Sequence, residues 1–504
     1  MRSRQAFKNM AANLMLQVIV LLSGIILPRF FLEAYGSSVN GMITSINQFL
    51  TYLGLAEAGV GTASIVALYA PLANDDRAEV NAVLSATRKY YNRSGVIFLA
   101  MVVVLIIVYP FFISGQLDPS MVRGMVIVLA SSTLVDYFFL GKYRVLLTAN
   151  QEGYVVALVQ AVGTIINTVV AIFLIWKGTN VVFVKTVATA VYMLRLLLIR
   201  AYVKRKYPCV DYHTESNDTA LSQKGAALLH QIVGIIVNNT DVVMLTICLG
   251  SRSLLEVSVY GVYNLVVYAV NMLLTSFSNS LSAGFGEVIS KGEKEILKES
   301  YSSYEYMYYM IFFIVISCMG VLLLPFISVY TMSMTDVDYI RPFIAILFTV
   351  IVFLQNIRIP GSTIICAAGH FRETRNQAIL EAVINIGVSV ILVWSFGMAG
   401  VLIGTVCSYG YRSLEIIVYN AKYLVKGSSR KTMSRLVRNI IVTILAVALG
   451  LNFVPQIMTS FGLWFEYAVI TGCSFSVIFV IVNLVTEPKE FQALITRVIQ
   501  VIKK

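Results

Sequence analysis

Nine ionisable side chains lie inside or at the ends of long apolar stretches of this sequence. The basic ones are Arg29, Lys142, Lys185, Arg358 and Arg412. The acidic ones are Glu57, Asp136, Asp241 and Glu415. An ionised side chain in a bilayer centre costs roughly 2.5 kcal/mol or more, so each needs a partner or an aqueous cavity. The basic groups suit a phosphate or pyrophosphate, and the carboxylates are candidates for ion coupling or charge pairing.

Most of these residues also have a plain structural interpretation. Arg29 and Lys185 lie close enough to one end of their segments to reach the lipid–water interface. Lys142 lies near the opposite membrane face, where it would anchor its segment. Arg412 and Glu415 are three residues apart on one helical face and can neutralise each other. We favour a functional role for Asp241, Arg358 and Arg412.

The composition indicates which elements carry these charges. Of the 504 residues, 58% are hydrophobic and only 13% are charged, and the mean hydropathy is +0.80. Soluble domains contain about 25% charged residues, so soluble enzymes and nucleic-acid-binding proteins are excluded. The six cysteines are isolated and form no CxxC motif, which is typical of small core residues rather than a disulfide framework. The sequence therefore predicts an all-α polytopic membrane protein.

About fourteen apolar segments are long enough to cross a bilayer core, which takes about 20 helical residues. They lie near residues 11–32, 41–70, 92–115, 121–147, 154–176, 181–203, 226–250, 257–286, 304–330, 340–365, 377–397, 400–425, 437–455 and 463–485. Of the 38 Lys and Arg residues, 29 fall on the side of the N-terminus and six on the opposite side. Basic residues gather on the cytoplasmic side, so both termini are predicted to be cytoplasmic.

The two halves of the chain repeat each other weakly. Ala58-Gly59-Val60-Gly61 ends the second segment, and Ala283-Gly284-Phe285-Gly286 ends the eighth. Six segments separate them, so the halves have parallel topology, as in transporters with a central site. We predict an N-terminal lobe at 1–203, a cytoplasmic linker at 204–225 and a C-terminal lobe at 226–425. Residues 426–504 form an extra hairpin and a cytoplasmic amphipathic tail.

Signatures of enzyme chemistry are missing from the sequence. It has no phosphate loop of the G-x-x-x-x-G-K-[ST] type, no HExxH motif and no G-x-S-x-G elbow. Its three histidines are too dispersed for a local metal site. We therefore expect a transporter rather than an enzyme, with no metal, no cofactor and no nucleic-acid partner; Na⁺ or H⁺ coupling is left open.

Two stretches resemble a known family. They are Gly54-Leu55-Ala56-Glu57-Ala58-Gly59-Val60-Gly61-Thr62-Ala63, and Leu147-Thr148-Ala149-Asn150-Gln151-Glu152-Gly153-Tyr154. With two six-segment halves and a final hairpin, the chain resembles the Wzx-like polysaccharide-biosynthesis flippases of O-antigen and capsule assembly. These flippases belong to the multidrug/oligosaccharidyl-lipid/polysaccharide (MOP) exporter superfamily. Arg29 is similar to a basic first-segment residue of the lipid II flippases.

The resemblance implies a V-shaped pair of lobes, similar to the MATE transporters, that works by alternating access. The implied cargo is an undecaprenyl-pyrophosphate-linked oligosaccharide, moved from the cytoplasmic to the periplasmic leaflet of a bacterial inner membrane. A single chain would suffice as a monomer, with other polysaccharide-assembly proteins as partners.

Three other functions stay open. A multidrug or cation antiporter of the same superfamily should have an acidic cavity, whereas basic residues predominate here. A peptidoglycan-precursor (lipid II) flippase is compatible with the same features. A polymerase or ligase acting on lipid-linked glycan is disfavoured, because the predicted outer loops are too short to hold a catalytic site.

Overall fold

The computed structural model describes residues 2–57, 59–113, 115–215, 225–425 and 429–492. Within these ranges all regular secondary structure is helical, and no β-strand occurs. The chain divides into two compact units, unit 1 (Met1–Ser258) and unit 2 (Val259–Lys504). Most of the predicted tail, from residue 493 onward, lies outside the described residues, as does 216–224 of the predicted linker.

Twelve helical segments of the described chain are long and apolar enough to cross a membrane. Two shorter apolar helices, Val60–Ala73 and Ile232–Cys248, accompany them. The first long helix contains a break at Gly36, whose φ of 78° and ψ of 174° are not helical. This break separates the predicted segments 11–32 and 41–70. The predicted class, an all-α multi-pass membrane protein with about fourteen spans, is confirmed.

Unit 1 is built from eight helices and the start of a ninth. These are α1 (Arg2–Leu53), α2 (Val60–Ala73), α3 (Arg77–Phe112), α4 (Pro119–Val135), α5 (Gly141–Ala149), α6 (Gly153–Trp176), α7 (Val181–Lys206), α8 (Gly225–Cys248) and α9 (Ser253–Ser290). α1 packs along α6, α4 packs along α7, and α8 contacts α1. Buried aromatic side chains of α3, including Tyr91, Phe98 and Tyr109, belong to the core.

Two of the spans in unit 1 depart from α-helical geometry at neighbouring places. Between α1 and α2 the chain forms a 3₁₀ turn at Gly54–Glu57, and Gly59 follows with a left-handed φ of 79°. Between α4 and α5 the chain forms a π-helical turn at Asp136–Leu140. Breaks of this kind in membrane helices occur where backbone lines a cavity or a functional site.

Unit 2 contains the rest of α9 and seven further helices. These are α10 (Lys294–Tyr330), α11 (Pro342–Ile357), α12 (Ile359–Ala367), α13 (Arg375–Phe396), α14 (Met398–Tyr419), α15 (Ser429–Phe453) and α16 (Phe461–Thr486). Most residues of α10 after its second turn are buried, and α10 packs against α11, α15 and α16. The final hairpin, α15 and α16, is thus attached to the rest of unit 2 through α10.

The predicted lobe boundaries remain a prediction. α8 follows the predicted linker 204–225 and would open the second lobe, yet it contacts α1 within unit 1.

The tightest helix pair in unit 2 is α13 with α14, where glycines let the backbones approach. A Cβ atom added at Gly404 would lie 2.8 Å from the backbone nitrogen of Ser389 and 3.0 Å from the carbonyl oxygen of Asn385. Gly400 faces the backbone of Leu392 and Val393 in the same way. The G-x-x-x-G spacing therefore acts as a close-contact surface between membrane helices.

We expect Gly404→Ala to lower the thermal stability of the protein, although alanine has a helix propensity about 1 kcal/mol better than glycine. Overpacking typically costs about 1–3 kcal/mol. The Ser389 hydroxyl, whose oxygen would lie nearest to the added Cβ, can rotate away, but the backbone atoms of Ser389 and Asn385 cannot. Gly410 lies on the same helix and is the control, since the nearest atom to an added Cβ is Leu354 Cδ1 at 4.0 Å. In thermal unfolding in detergent, the melting temperature of Gly410→Ala should equal or exceed that of the unmodified protein, and that of Gly404→Ala should be lower. A Gly404→Ala variant more stable than Gly410→Ala would contradict this packing.

Candidate functional site

The two helix breaks of unit 1 meet at a charged cluster that we call the acidic site: Glu57, Asp136 and Arg144. Glu57 ends the 3₁₀ turn, Asp136 opens the π-helical turn, and Arg144 lies on α5. Arg144 Nη1 lies 3.1 Å from Asp136 Oδ2, and Arg144 Nη2 lies 3.5 Å from Glu57 Oε1. The Asp136 side chain is 13% exposed and the Glu57 side chain 21%. Two carboxylates therefore share one guanidinium in a mostly buried setting.

Tyrosines and glycines shape the space around the acidic site. A Cβ atom added at Gly61 would lie 3.0 Å from Tyr91 Oη and 3.6 Å from Glu57 Oε1, so the glycine leaves room for both groups. Tyr137 Oη donates a hydrogen bond of 3.1 Å to the Gly54 carbonyl, which ties the π-helical turn to the 3₁₀ turn. A cavity of about 290 Å³ opens here.

The acidic site can hold one more positive charge. With both carboxylates ionised, its formal charge is −1. Asp136 Oδ1 is buried and has no hydrogen-bond partner among the residues that the structure describes. An unpartnered buried oxygen is unfavourable unless it receives a proton, a water molecule or a cation. The site is therefore chemically suited to take up a proton or a small cation.

A second cluster, the four-charge site, lies in unit 2 and consists of Arg358, Glu381, Arg412 and Glu415. Arg358 stands between α11 and α12, where Pro360 begins a new helix. Arg358 Nη1 lies 2.5 Å from Glu381 Oε1, and Arg412 Nε lies 3.6 Å from Glu381 Oε2. Arg412 also pairs with Glu415 on its own helix. All four side chains are 15% exposed or less, and their formal charges cancel.

Sequence reasoning identified three members of the four-charge site and missed Glu381. The structure brings Arg358, Arg412 and Glu415 together, and Glu381 is the residue that links the two arginines. Glu381 lies inside the predicted segment 377–397, so the signal that selected the other carboxylates was present. The Arg358 guanidinium also lies 4.5 Å from the ring centre of Tyr409, a cation–π contact.

The remaining predicted basic residues of unit 1 lie in separate surroundings. Arg29 Nε donates to Glu33 Oε1 over 2.9 Å on the same helix. Lys185 Nζ lies 4.2 Å from the ring centre of Phe31. Lys142 Nζ lies 5.2 Å from the ring centres of Tyr143 and Tyr212. None of these contacts joins two of the three residues to each other.

Asp241 belongs to a polar seam between α1 and the helices α8 and α9 within unit 1. It is 4% exposed, next to Thr240, which bonds to α1. Four neutral side-chain hydrogen bonds of 2.7–2.9 Å cross this seam. They join Asn40 to Ser258, Ser45 to Thr246, Gln48 to Asn239 and Tyr52 to Thr240.

A third group of charges, the hairpin network, attaches the final hairpin to α10. Arg435 of α15 is 2% exposed; its Nη1 lies 3.0 Å from Glu305 Oε2 and its Nη2 lies 2.6 Å from Glu487 Oε2. Arg438 pairs with Glu487 at 2.9 Å. Burial raises the pKa of Glu487, but hydrogen bonds from both arginines outweigh it and hold that pKa below the usual 4.5. By charge counting alone, Arg435 is indistinguishable from an ordinary cytoplasmic anchor.

Comparison with known proteins finds similar structures but no similar sequences. No protein-family model and no curated protein sequence matches the chain. Among solved structures, an inward-facing multidrug resistance MATE family transporter of the MOP superfamily has a TM-score of 0.65 at 14% identity, covering 86% of this chain and 99% of its own. The lipid II flippase MurJ, in an inward closed conformation, has a TM-score of 0.66 at 15% identity, covering 94% and 98%. A point mutant of the MATE transporter VcmN of Vibrio cholerae has a TM-score of 0.57 at 13% identity, covering 85% and 98%.

These similarities establish the fold: the chain shares the helical architecture of these solved structures. The matches differ in how much of this chain they cover. Both MATE structures are matched over nearly their whole length yet leave about a seventh of this chain unmatched. MurJ leaves only about 6% of this chain unmatched, which is smaller than the final hairpin formed by α15 and α16.

Proposed function

We propose that this protein is a transporter, not an enzyme, that flips an undecaprenyl-pyrophosphate-linked oligosaccharide from the cytoplasmic to the periplasmic leaflet for surface polysaccharide biosynthesis. The observation that carries the proposal is the extent of the fold match. The match to the structure described as a lipid II flippase covers 94% of this chain. The shared fold therefore includes part of the final hairpin of this chain. A fold shared that far supports a lipid-linked cargo over a drug.

The four-charge site supplies groups that suit such a cargo. Arginine guanidinium groups bind phosphate bidentately, and Arg358 and Arg412 lie on either side of Glu381. In the structure the two glutamates neutralise both arginines. An arriving pyrophosphate would compete with these carboxylates, and release of the cargo would restore the neutral cluster. The arginines would thus be protected inside the membrane when no cargo is bound.

The acidic site is the proposed place for ion coupling. It takes up a proton or Na⁺ between Glu57 and Asp136, next to the Arg144 guanidinium. Uptake there changes the balance of charge at two breaks in membrane helices, where the backbone is least constrained. Coupling ion, alternating access, action as a monomer and location in a bacterial inner membrane with cytoplasmic termini belong to the same proposal.

The test is to delete the gene and label lipid-linked oligosaccharide in intact cells with an impermeant sugar-oxidising reagent. We expect the oligosaccharide to accumulate in a pool that the reagent cannot reach. The intact gene should reverse this, and a copy encoding Arg358→Ala should not. Arg372→Ala is the matched control, because Arg372 is exposed. An unchanged label and unchanged surface glycan after deletion would refute the proposal.

A multidrug or cation antiporter is the second candidate, and the acidic site is what favours it. Its formal charge of −1 suits a cationic compound or a coupling cation, and MATE transporters share the fold. Drug sensitivity after deletion, without oligosaccharide accumulation, would move this candidate to first place. Loss of viability with trapped peptidoglycan precursor would indicate a lipid II flippase instead.

A further inference from the structure

Basic groups from separate segments of unit 1 lie around Tyr212: Arg88 and Lys142 contact it, and His213 follows it in the chain. We call this set the basic cluster: Arg88 of α3, Lys142 of α5, Arg200 of α7 and His213. The three helical members lie towards the helix ends that the charge distribution assigns to the cytoplasmic side, and His213 follows α7 in the predicted linker.

Tyr212 fixes the arrangement of the basic cluster. Its carbonyl oxygen accepts a hydrogen bond of 3.3 Å from Arg88 Nη1, and its ring centre lies 5.2 Å from Lys142 Nζ. The Tyr143 ring meets the Tyr212 ring edge-on at 5.5 Å and lies 5.2 Å from the same lysine nitrogen. Arg88 Nη1 also lies 2.7 Å from His213 Nδ1 and 2.9 Å from Nε2. The cations are held by aromatic faces and a carbonyl, not by carboxylates.

The missing counter-charge sets this cluster apart from the other ion clusters. The acidic site, the four-charge site and the hairpin network all pair arginine with carboxylates. Among the described residues, neither Arg88 nor Lys142 forms a salt bridge, and Arg200 is a further positive charge within electrostatic range of Lys142. The carboxylate of Asp211 accepts a hydrogen bond of 2.9 Å from the backbone nitrogen of His213, but it pairs with neither of the two cations. Holding like charges together is unfavourable unless an anion joins them. Ordinary cytoplasmic anchoring would not require them to converge.

We propose that the basic cluster is a binding site for a phosphoryl group of a lipid headgroup. A guanidinium group donates two parallel hydrogen bonds to a phosphate, and lysine and histidine add point donors from other directions. Helix ends at a membrane surface lie at the depth of phospholipid phosphates, so a headgroup reaches the cluster while its chains stay in the bilayer. This site is distinct from the four-charge site within the membrane.

Two kinds of lipid have such a phosphoryl group: an anionic phospholipid and the pyrophosphate-linked cargo. The second candidate rests on the proposed function. Two measurements on the full-length protein in detergent separate the two sources. Native mass spectrometry compares the binding of phosphatidylglycerol with that of phosphatidylcholine. A titration with inorganic pyrophosphate follows the rise in melting temperature that ligand binding causes. We expect Lys142→Gln combined with Arg88→Gln to weaken binding of at least one probe about tenfold.

The control is Lys204→Gln combined with Arg205→Gln, which removes two exposed charges from the end of α7 and should leave both affinities unchanged. If the first double variant does not fold, His213→Gln combined with Arg200→Gln changes only exposed members of the cluster. Selective retention of phosphatidylglycerol identifies a phospholipid site, and a response to pyrophosphate alone identifies a cargo site. Equal affinities in cluster and control variants would overturn the proposal, whatever the labelling experiment on flipping shows.

Discussion

Arg435→Ala is expected to lower the free energy of unfolding by about 3–5 kcal/mol, the usual effect of removing one partner of a buried ion pair. The guanidinium is 2% exposed, and so is the Glu305 side chain that it neutralises. Without Arg435, Glu305 retains a hydrogen bond from Thr432 Oγ1 but is left as a charge in the interior. Thermal unfolding in detergent would measure the loss, and the final hairpin should become sensitive to protease first.

Lys489→Ala is the matched control, because Lys489 is an exposed cation at the same end of the hairpin. Equal stability of the two variants would contradict the role assigned to Arg435.

Lowering the pH should weaken the same hairpin network. The pKa of Glu487 is lower in the folded protein than its usual 4.5, so its stabilisation is complete above that value and is lost as pH falls through the lower folded pKa. The stability of Arg435→Ala should respond less to pH in this range.

The second large effect is expected at Glu381, which is shared by two arginines. Among the described residues, Glu381 is the carboxylate that contacts both Arg358 and Arg412, and Glu381→Gln leaves the four-charge site with a formal charge of +1. We expect a loss of about 3–5 kcal/mol in stability, since a buried charge is left without compensation. Flipping should be lost as well.

A compensating substitution distinguishes structure from transport. Glu381→Gln combined with Arg358→Gln restores neutrality and leaves the Arg412–Glu415 ion pair in place, so stability should recover by more than half. If the arginines bind the anionic cargo, the stable double variant still fails to flip lipid-linked oligosaccharide. Recovery of both stability and flipping would show that the cluster is only a structural ion network, and it would remove Arg358 from the transport site.

The sequence predicted the spans well, because a run of about 20 apolar residues has few other uses. It could not predict the breaks within them. The π-helical turn at Asp136–Leu140 follows no proline or glycine, and the hydrogen bond of Tyr137 within it goes to Gly54, 83 residues away. The break beside Arg358 had a local signal in Pro360, since proline favours the first turn of a new helix.

Which charges belong together was harder to predict than which charges were unusual. Arg412 and Glu415 are neighbours on one helix, so their pairing followed from spacing alone. Arg358 and Glu381 lie on different helices, and a sequence contains no distance between them. Arg435 was missed because a basic residue near a helix end fits the positive-inside pattern whether it faces water or a buried glutamate.

The polar seam between α1 and the helices α8 and α9 has a consequence for movement. An apolar contact, once separated, exposes a surface that water wets poorly, and a separated salt bridge leaves two bare charges. Hydroxyl and amide groups lose little, because water replaces each partner and the net value of such a bond is only about 0.5–1.5 kcal/mol. The seam can therefore open gradually, with each hydrogen bond exchanged in turn for a bond to water.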